Sequence, residues 1–404
     1  MAYDIIVGRD ESDKEKFGKN GLIYIGKGFV KMDSYTSLSN FIFSDVARSH
    51  VVLVAGKRGS GKSYTLGVIA EELSNLPKEI SQNIAPLIFD TMGIYWTMKF
   101  KNEKERMLLD DWSLKPKELP VKIFVPFGFY DKYISDGIPV DEKFALDASE
   151  MNAEDWILTF ELDFIHPISV LIERTITKLK ESSGFNIEDI IKEIARDVAT
   201  EKETKNAAIG LFEAVKTRGI FSNSNTQEKT KIEDLVTGGT TTVLDLSVYN
   251  SIGTFNIRAL IISLVSRKLF NQRMSSRKKE ETQAVARGLD YLSAIEKRES
   301  PLIWIFIDEA HEFLPQGKKT VATDALTQLL REGRQPGISI VLATQQPGQI
   351  HNDVMTQSDI VISHKVTSHQ DLHALSLIMQ SYLLDDIKKY MNDLPNLKGS
   401  AIIL

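Results

Sequence analysis

The chain has no cysteine among its 404 residues, an absence that removes disulfides, thiol catalysis and thiolate metal sites together. It also lacks any run approaching the roughly 20 apolar residues that a membrane-spanning helix needs. Its first residues, MAYDIIVGRDESDK, do not follow the basic, apolar, small-residue order of a secretory signal. A soluble cytoplasmic protein with no membrane partner is expected. Basic charge is short as well: 49 Lys and Arg stand against 55 Asp and Glu, a formal net charge of −6. A protein that carries nucleic acid on its outer surface normally shows a basic balance. Any nucleic acid must therefore be met by Lys and Arg gathered locally, for instance around a channel. Internal repeats and low-complexity tracts are absent.

What is present is the composition of an ordinary globular protein, 42% hydrophobic and 26% charged, in a chain longer than one compact domain usually is. Residues 1–50 read as a short β-rich segment. Within it Gly26 and Gly28 split Gly21–Met32 into two apolar runs, which suggests a hairpin. From His50 the pattern becomes strand (VVLVA, 51–55), glycine-rich loop and helix, and 51–404 reads as one α/β core. Residues 101–235 are charged and helically periodic, notably in Ile168–Leu179 and Ile187–Val198, and read as a mainly helical insertion with one strand-like piece, Val121–Val125. The core resumes at TTVLDLS (241–247), with a helix near Asn256–Asn271 and a charged linker around Met274–Ser300. Four strand-like runs follow: Ile303–Ile307, Ile338–Ala343, Ile360–Val366 and Ala401–Leu404. Apolar runs alternating with helices predict a mainly parallel sheet covered on both faces.

Gly56-Lys57-Arg58-Gly59-Ser60-Gly61-Lys62-Ser63 fills every fixed position of G-x-x-x-x-G-K-[ST], the Walker A phosphate-binding loop. Glycines let the backbone wrap a phosphate with its N–H groups turned inward. The helix that begins here and runs on through Tyr64 adds its positive dipole end. Lys62 is expected to reach the β- and γ-phosphates of ATP, and Ser63 to ligate Mg²⁺. A chance Gly/Lys/Ser turn would match the bare pattern, but the apolar strand before it and the amphipathic helix after it argue against chance.

Leu302–Ile307 runs straight into Asp308-Glu309, a Walker B pattern that puts two carboxylates at the C-terminal edge of a sheet, where open α/β sheets bind ligands. Asp308 is the candidate for the Mg²⁺ shell and Glu309 for orienting the attacking water. The bland alternative is an acidic helix start. Asp308-Glu309-Ala310-His311 also spells the DEAH helicase box, a reading that needs a second RecA-like domain. Phe313–Leu404 is too short for one, so His311 is expected to be structural. Beyond it, Thr320–Gly333 reads as a helix ending in Arg331 and Arg334. Either arginine could cap the helix C-terminus or act as an arginine finger on a neighbouring subunit's γ-phosphate; the residues alone leave both open. Gln345, after strand Ile338–Ala343, is the candidate γ-phosphate sensor, against a plain turn before Pro347.

GKRGSGKS (56–63), IDEAHEFLP (307–315), REGRQPG (331–337) and ATQQP (343–347) together resemble the HerA branch of the HerA–FtsK superfamily, ring-forming ATPases that pump double-stranded DNA. Residues 8–26 and TTTVLDLS (240–247) are similar to archaeal members. The resemblance implies a RecA-like P-loop NTPase core with Lys62 as P-loop lysine, Asp308 as metal-shell acid, Glu309 as general base and Gln345 as sensor. It favours Arg334, acting in trans, over Arg331. It also implies a homohexamer around DNA, and in archaeal HerA a NurA nuclease partner that processes DNA ends. The N-terminal segment is shorter than a full β-barrel and the sequence stops on a core strand, so the resemblance bears most directly on the ATPase core. A related motor acting on protein or in defence, and a nucleotide-switched assembly scaffold, are the competing readings. Lys216, Arg218 and the Arg267–Lys279 cluster are candidate DNA contacts, each also readable as a solvated helix face.

Overall fold

Strands that are apolar on both sides must be covered on both sides. The computed structural model, which describes residues 3–32, 35–182, 184–222, 229–250, 256–287, 298–378, 384–395 and 397–404, meets that demand with two sheets. The small one joins β1 (Ile5–Val7), β2 (Leu22–Met32) and β3 (Tyr35–Asp45) in the order β1-β3-β2. The large one contains β4 (Val51–Ala55), β5 (Ile84–Asp90), β6 (Val121–Pro126), β7 (Glu142–Phe144), β8 (Thr241–Asp245), β9 (Leu302–Ile307), β10 (Ile338–Thr344), β11 (Ile360–His364) and β12 (Ala401–Ile403). Its order is β12-β11-β4-β10-β9-β5-β8-β6-β7. Every neighbouring pair is parallel except β11 with β12.

Two apolar layers cover this sheet. Along β4, Val51, Leu53 and Ala55 enter one layer, and Val52 and Val54 the other, as the two-residue period of a strand requires. The second layer holds Leu66, Ile69, Ala70 and Leu73 of the helix Lys62–Asn75. The first holds the helices Pro167–Lys180, Ile187–Arg196 and Lys202–Lys216 and the start of the long helix Ile257–Arg287. A fully buried Leu or Ile contributes roughly 1.5–3 kcal/mol, so these layers fix the sheet and with it the site at its edge.

Three local expectations change. Gly26 and Gly28 do not turn a hairpin; they lie within β2, next to register shifts against β3 between Tyr24 and Gly26 and between Lys27 and Phe29. Glycine in a strand marks a bulge as readily as a turn. Val121–Pro126 is a full member of the large sheet, paired with β8. The charged stretch after Met274 continues the helix as far as Arg287; residues 288–297 of the expected linker lie outside the described residues.

The small sheet docks on the core through buried charge. Arg9 Nε donates to Asp45 Oδ1 at 2.7 Å, and the same side chain donates to the carbonyls of Gly18, Asn20 and Gly21. His50 Nε2 lies 3.0 Å from Asp45 Oδ2 and its Nδ1 lies 2.8 Å from Asp359 Oδ2. Arg48 N–H donates to Asp45, Arg334 pairs with Asp359, and the Trp304 ring stands beside the imidazole. Burial alone would lower the His50 pKa, but the flanking carboxylates of Asp359 and Asp45 outweigh it and hold it up to about 9. A pKa raised on folding contributes stability that is complete below the unfolded value of about 6.5 and is lost as pH rises through the folded value. Thermal melts should therefore show stability falling by on the order of 3 kcal/mol from pH 6 to pH 10. His50→Gln should flatten that slope, and an unchanged slope would exclude His50 as its source.

Candidate nucleotide-binding site

The C-terminal ends of β4 and β9 stand either side of β10, which brings the phosphate loop and the Walker B acids to one edge. The loop turns on glycines in conformations that other residues resist: Gly59 has φ 74° and Gly61 φ 118°. A Cβ on Gly61 would also meet the backbone of Gly399 at 3.1 Å, so a larger residue there would crowd that backbone as well as strain its own. Lys57, Arg58 and Tyr64 are exposed, Ser60 and Lys62 are buried, and Gly56 lies buried at the end of β4. Burial lowers the Lys62 pKa, opposed by Glu309 and Asp308. Its Nζ donates to the Lys57 carbonyl at 3.3 Å.

Ser63 Oγ donates to Asp308 Oδ2 at 2.5 Å. These oxygens are the donor types a small hard cation takes, with phosphate and water completing its shell. Among the described residues no cluster of three or more His, Cys, Asp or Glu could hold a metal by itself. Glu309 follows in a left-handed backbone conformation, φ 50°, ψ 44°, which costs a non-glycine residue about 1–2 kcal/mol. Gln345 Nε2 donates a short hydrogen bond to Glu309 Oε1, while Oε2 is buried with no hydrogen-bond partner. Burial, and next the Asp308 charge, raises the Glu309 pKa against the pull of Lys62 and Gln345. An unpartnered carboxylate oxygen in a phosphate-loop cleft is suited to accept a hydrogen bond from water.

Two further residues at this edge are not evident from the sequence motifs. Tyr95 O–H lies 3.2 Å from the Ser63 carbonyl and 3.3 Å from Asp308 Oδ2. Asp90 anchors its loop, accepting from Gly93 N at 2.7 Å and Tyr95 N at 2.8 Å. Burial, reinforced by Asp245 on β8, pushes the Asp90 pKa up to about 7. A strand ending in Asp before a glycine turn was the available signal for Asp90; nothing local marked Tyr95. His311 sits in a short 3₁₀ turn, with Nδ1 3.3 Å from Thr344 Oγ1 and 3.6 Å from Glu309 Oε2.

Arg331 and Arg334 are elsewhere. They precede β10, whereas Gln345 follows it, so the seven-residue strand separates them from their own phosphate loop by roughly 20 Å. Arg331 pairs with Asp353 at 2.8 Å and Arg334 with Asp359 at 3.2 Å. The basic candidates of the helical region are mostly engaged within the chain. Lys216 pairs with Glu188, Arg267 with Asp155, Lys268 with Glu150 and Arg277 with Glu281. Arg273 is fully buried and bonded to Glu280, Pro336 O and Ser300 O, so it is structural.

Among known families, the one described as Helicase HerA, central domain, matches residues 42–269, more than half of the sequence. The chain belongs to the HerA helicase family. A second family, described as Zonular occludens toxin (Zot), matches residues 264–381. A probable helicase of Methanocaldococcus jannaschii is 24% identical over 98% of the chain, which spans 66% of that relative's length. The DNA double-strand break repair helicase HerA of Saccharolobus solfataricus is also 24% identical over 98% of the chain and 68% of its own length. HerA of Pyrococcus furiosus is 27% identical over 35% of the chain, and only 24% of that relative is covered. The solved structure of VirB4 from Thermoanaerobacter pseudethanolicus superposes with a TM-score of 0.53 at 10% identity, covering 92% of this chain and 90% of that one. The fold is thus that of the P-loop NTPases. Among the described residues no helix is long and apolar enough to cross a membrane.

Proposed function

We propose that this chain is the subunit of a ring-shaped, HerA-type motor that hydrolyses Mg²⁺–ATP to move along double-stranded DNA. The observation that carries the ATPase reading is the convergence of Ser63, Asp308 and a Gln345-held Glu309 on one phosphate loop. Lys62 binds the β- and γ-phosphates, and Ser63 and Asp308 would hold Mg²⁺, which would neutralise phosphate charge. Glu309 takes the proton of the attacking water and Gln345 reports the γ-phosphate. Support for a ring comes from Arg334: it stands across the sheet from its own phosphate loop, so as a finger it would complete a neighbour's site. A hexamer is the natural closure, and a NurA-like nuclease the natural partner if the role in DNA repair named for the HerA relatives holds here.

Support for DNA as the track comes from family membership. Linear duplex DNA added to the purified protein at low salt should raise ATP turnover. Log affinity for that DNA should fall steeply with log salt, because each neutralised phosphate releases counterions. Turnover indifferent to DNA, with no binding even at low salt, would instead favour a nucleotide-switched scaffold.

A further inference from the structure

Arg334 ends a chain of charges that runs back into the small N-terminal sheet. Its Nη2 lies 3.2 Å from Asp359 Oδ2 and 3.4 Å from the Gln357 carbonyl. Both contacts use the same nitrogen, which leaves the other edge of the guanidinium for a phosphate oxygen. Asp359, the residue before β11, is itself fixed: its Oδ1 accepts from Val51 N at 2.8 Å, and its Oδ2 also meets His50. Because a carboxylate faces each ring nitrogen of His50, both nitrogens donate and the imidazole is a cation in this arrangement. Beyond it, Asp45 is held by Arg9. Side-chain exposure climbs along the series, from 0% at Arg9 and Asp45 through 4% at His50 to 29% at Asp359 and 49% at Arg334. The network is thus rigid at its base and ends in a half-exposed cation. Cohesion alone does not call for this design, since apolar side chains of similar volume hold a core as well as buried ion pairs do. What buried, fully paired charge does supply is a defined direction for the group at its end.

We propose that Asp359 is a positioning residue for Arg334, and that His50 and Asp45 tie the position of that arginine to the N-terminal sheet. The inference rests on Arg334 acting in a neighbour's site. A long, flexible side chain at a helix end loses catalytic alignment easily, and a displacement of about 1 Å can cost up to a hundredfold in rate. Asp359 would prevent that by gripping one nitrogen of the fork. Movement of the N-terminal sheet would then reach the ATPase cycle through Asp45 and His50, without touching the phosphate loop.

ATP hydrolysis by Asp359→Asn, alone and in mixed oligomers, tests this. The variant alone should lose about ten- to a hundredfold in kcat with KM for ATP unchanged. Mixed with Glu309→Gln it should recover, because some interfaces then pair an intact Glu309 with an intact Arg334–Asp359 unit. Mixed with Arg334→Ala it should not rise above its own level, because no interface has an intact finger. Recovery with Arg334→Ala but not with Glu309→Gln would place Asp359 at its own subunit's site and overturn the proposal. So would wild-type kcat in Asp359→Asn while Arg334→Ala is inactive, a result that leaves the finger reading standing. Full activity in Arg334→Ala would remove that reading itself. His50→Gln, which keeps a hydrogen-bonding side chain, should fall in the same complementation class with a smaller loss, and it carries the test if Asp359→Asn does not fold. A His50→Gln kcat equal to wild type would break the link to the N-terminal sheet.

Discussion

Glu309→Gln should bind ATP and keep it unhydrolysed. The substitution preserves the size of the side chain and the oxygen that accepts from Gln345, so the left-handed turn and the phosphate loop should stay in place. It removes the base. General-base contributions are typically 10²–10⁴-fold, and hydrolysis should fall by about that factor while nucleotide affinity holds. Lys62→Ala should fail differently. Lys62 is buried beside Asp308 and Glu309, and a charge-assisted contact to phosphate is worth about 1.5–3 kcal/mol. Its loss should weaken ATP binding by roughly ten- to a hundredfold, with two carboxylates left uncompensated next to the phosphates. Equilibrium binding of a fluorescent ATP analogue, run beside phosphate release, separates the two defects. Near wild-type turnover in Glu309→Gln would falsify the assignment of the base.

The contrast between these residues and the ones that support them shows where sequence stops being legible. Lys62, Ser63, Asp308, Glu309 and Gln345 could be named in advance because each occupies a strand end or a loop whose backbone dictates its residue type. A phosphate loop needs its glycines, and a buried strand ending in two acids has few other uses. The parallel sheet was legible for the same reason, through runs such as Val51–Ala55 with no polar face. The partners were not legible. Tyr95 reaches Asp308 only because β5 lies beside β9, a neighbour relation that depends on topology rather than on anything near Tyr95. His50, Asp45 and Asp359 come from three separate elements and read singly as ordinary polar residues at strand ends. The basic helix near residue 270 shows the same limit: its cations read as DNA contacts or as a solvated face, and the fold supplies carboxylates to Arg267, Lys268, Arg273 and Arg277 that the sequence does not reveal.

Arg334→Ala carries the argument for a ring. The variant should bind ATP normally, since its own phosphate loop lies across the sheet and is untouched. It should nonetheless lose hydrolysis by about a thousandfold, the lower end of what arginine fingers contribute. Mixed with Glu309→Gln, itself inactive, it should regain part of the activity, because a subunit with intact Glu309 can then sit beside one with intact Arg334. A cis-acting arginine predicts no recovery in any mixture, since every subunit would carry one defect in its own site. An arginine that only neutralises Asp359 predicts that Arg334→Ala stays active and loses, at most, some stability. The separation of Arg334 from its own site by the length of β10 already weighs against the cis account, because no side chain spans roughly 20 Å. The choice therefore lies between a finger in trans and a surface ion pair, and half-exposed pairs of that kind contribute only about 0–1 kcal/mol. A thousandfold loss rescued by mixing is far outside what such a pair can explain, and it would require that two copies of the chain build each active site.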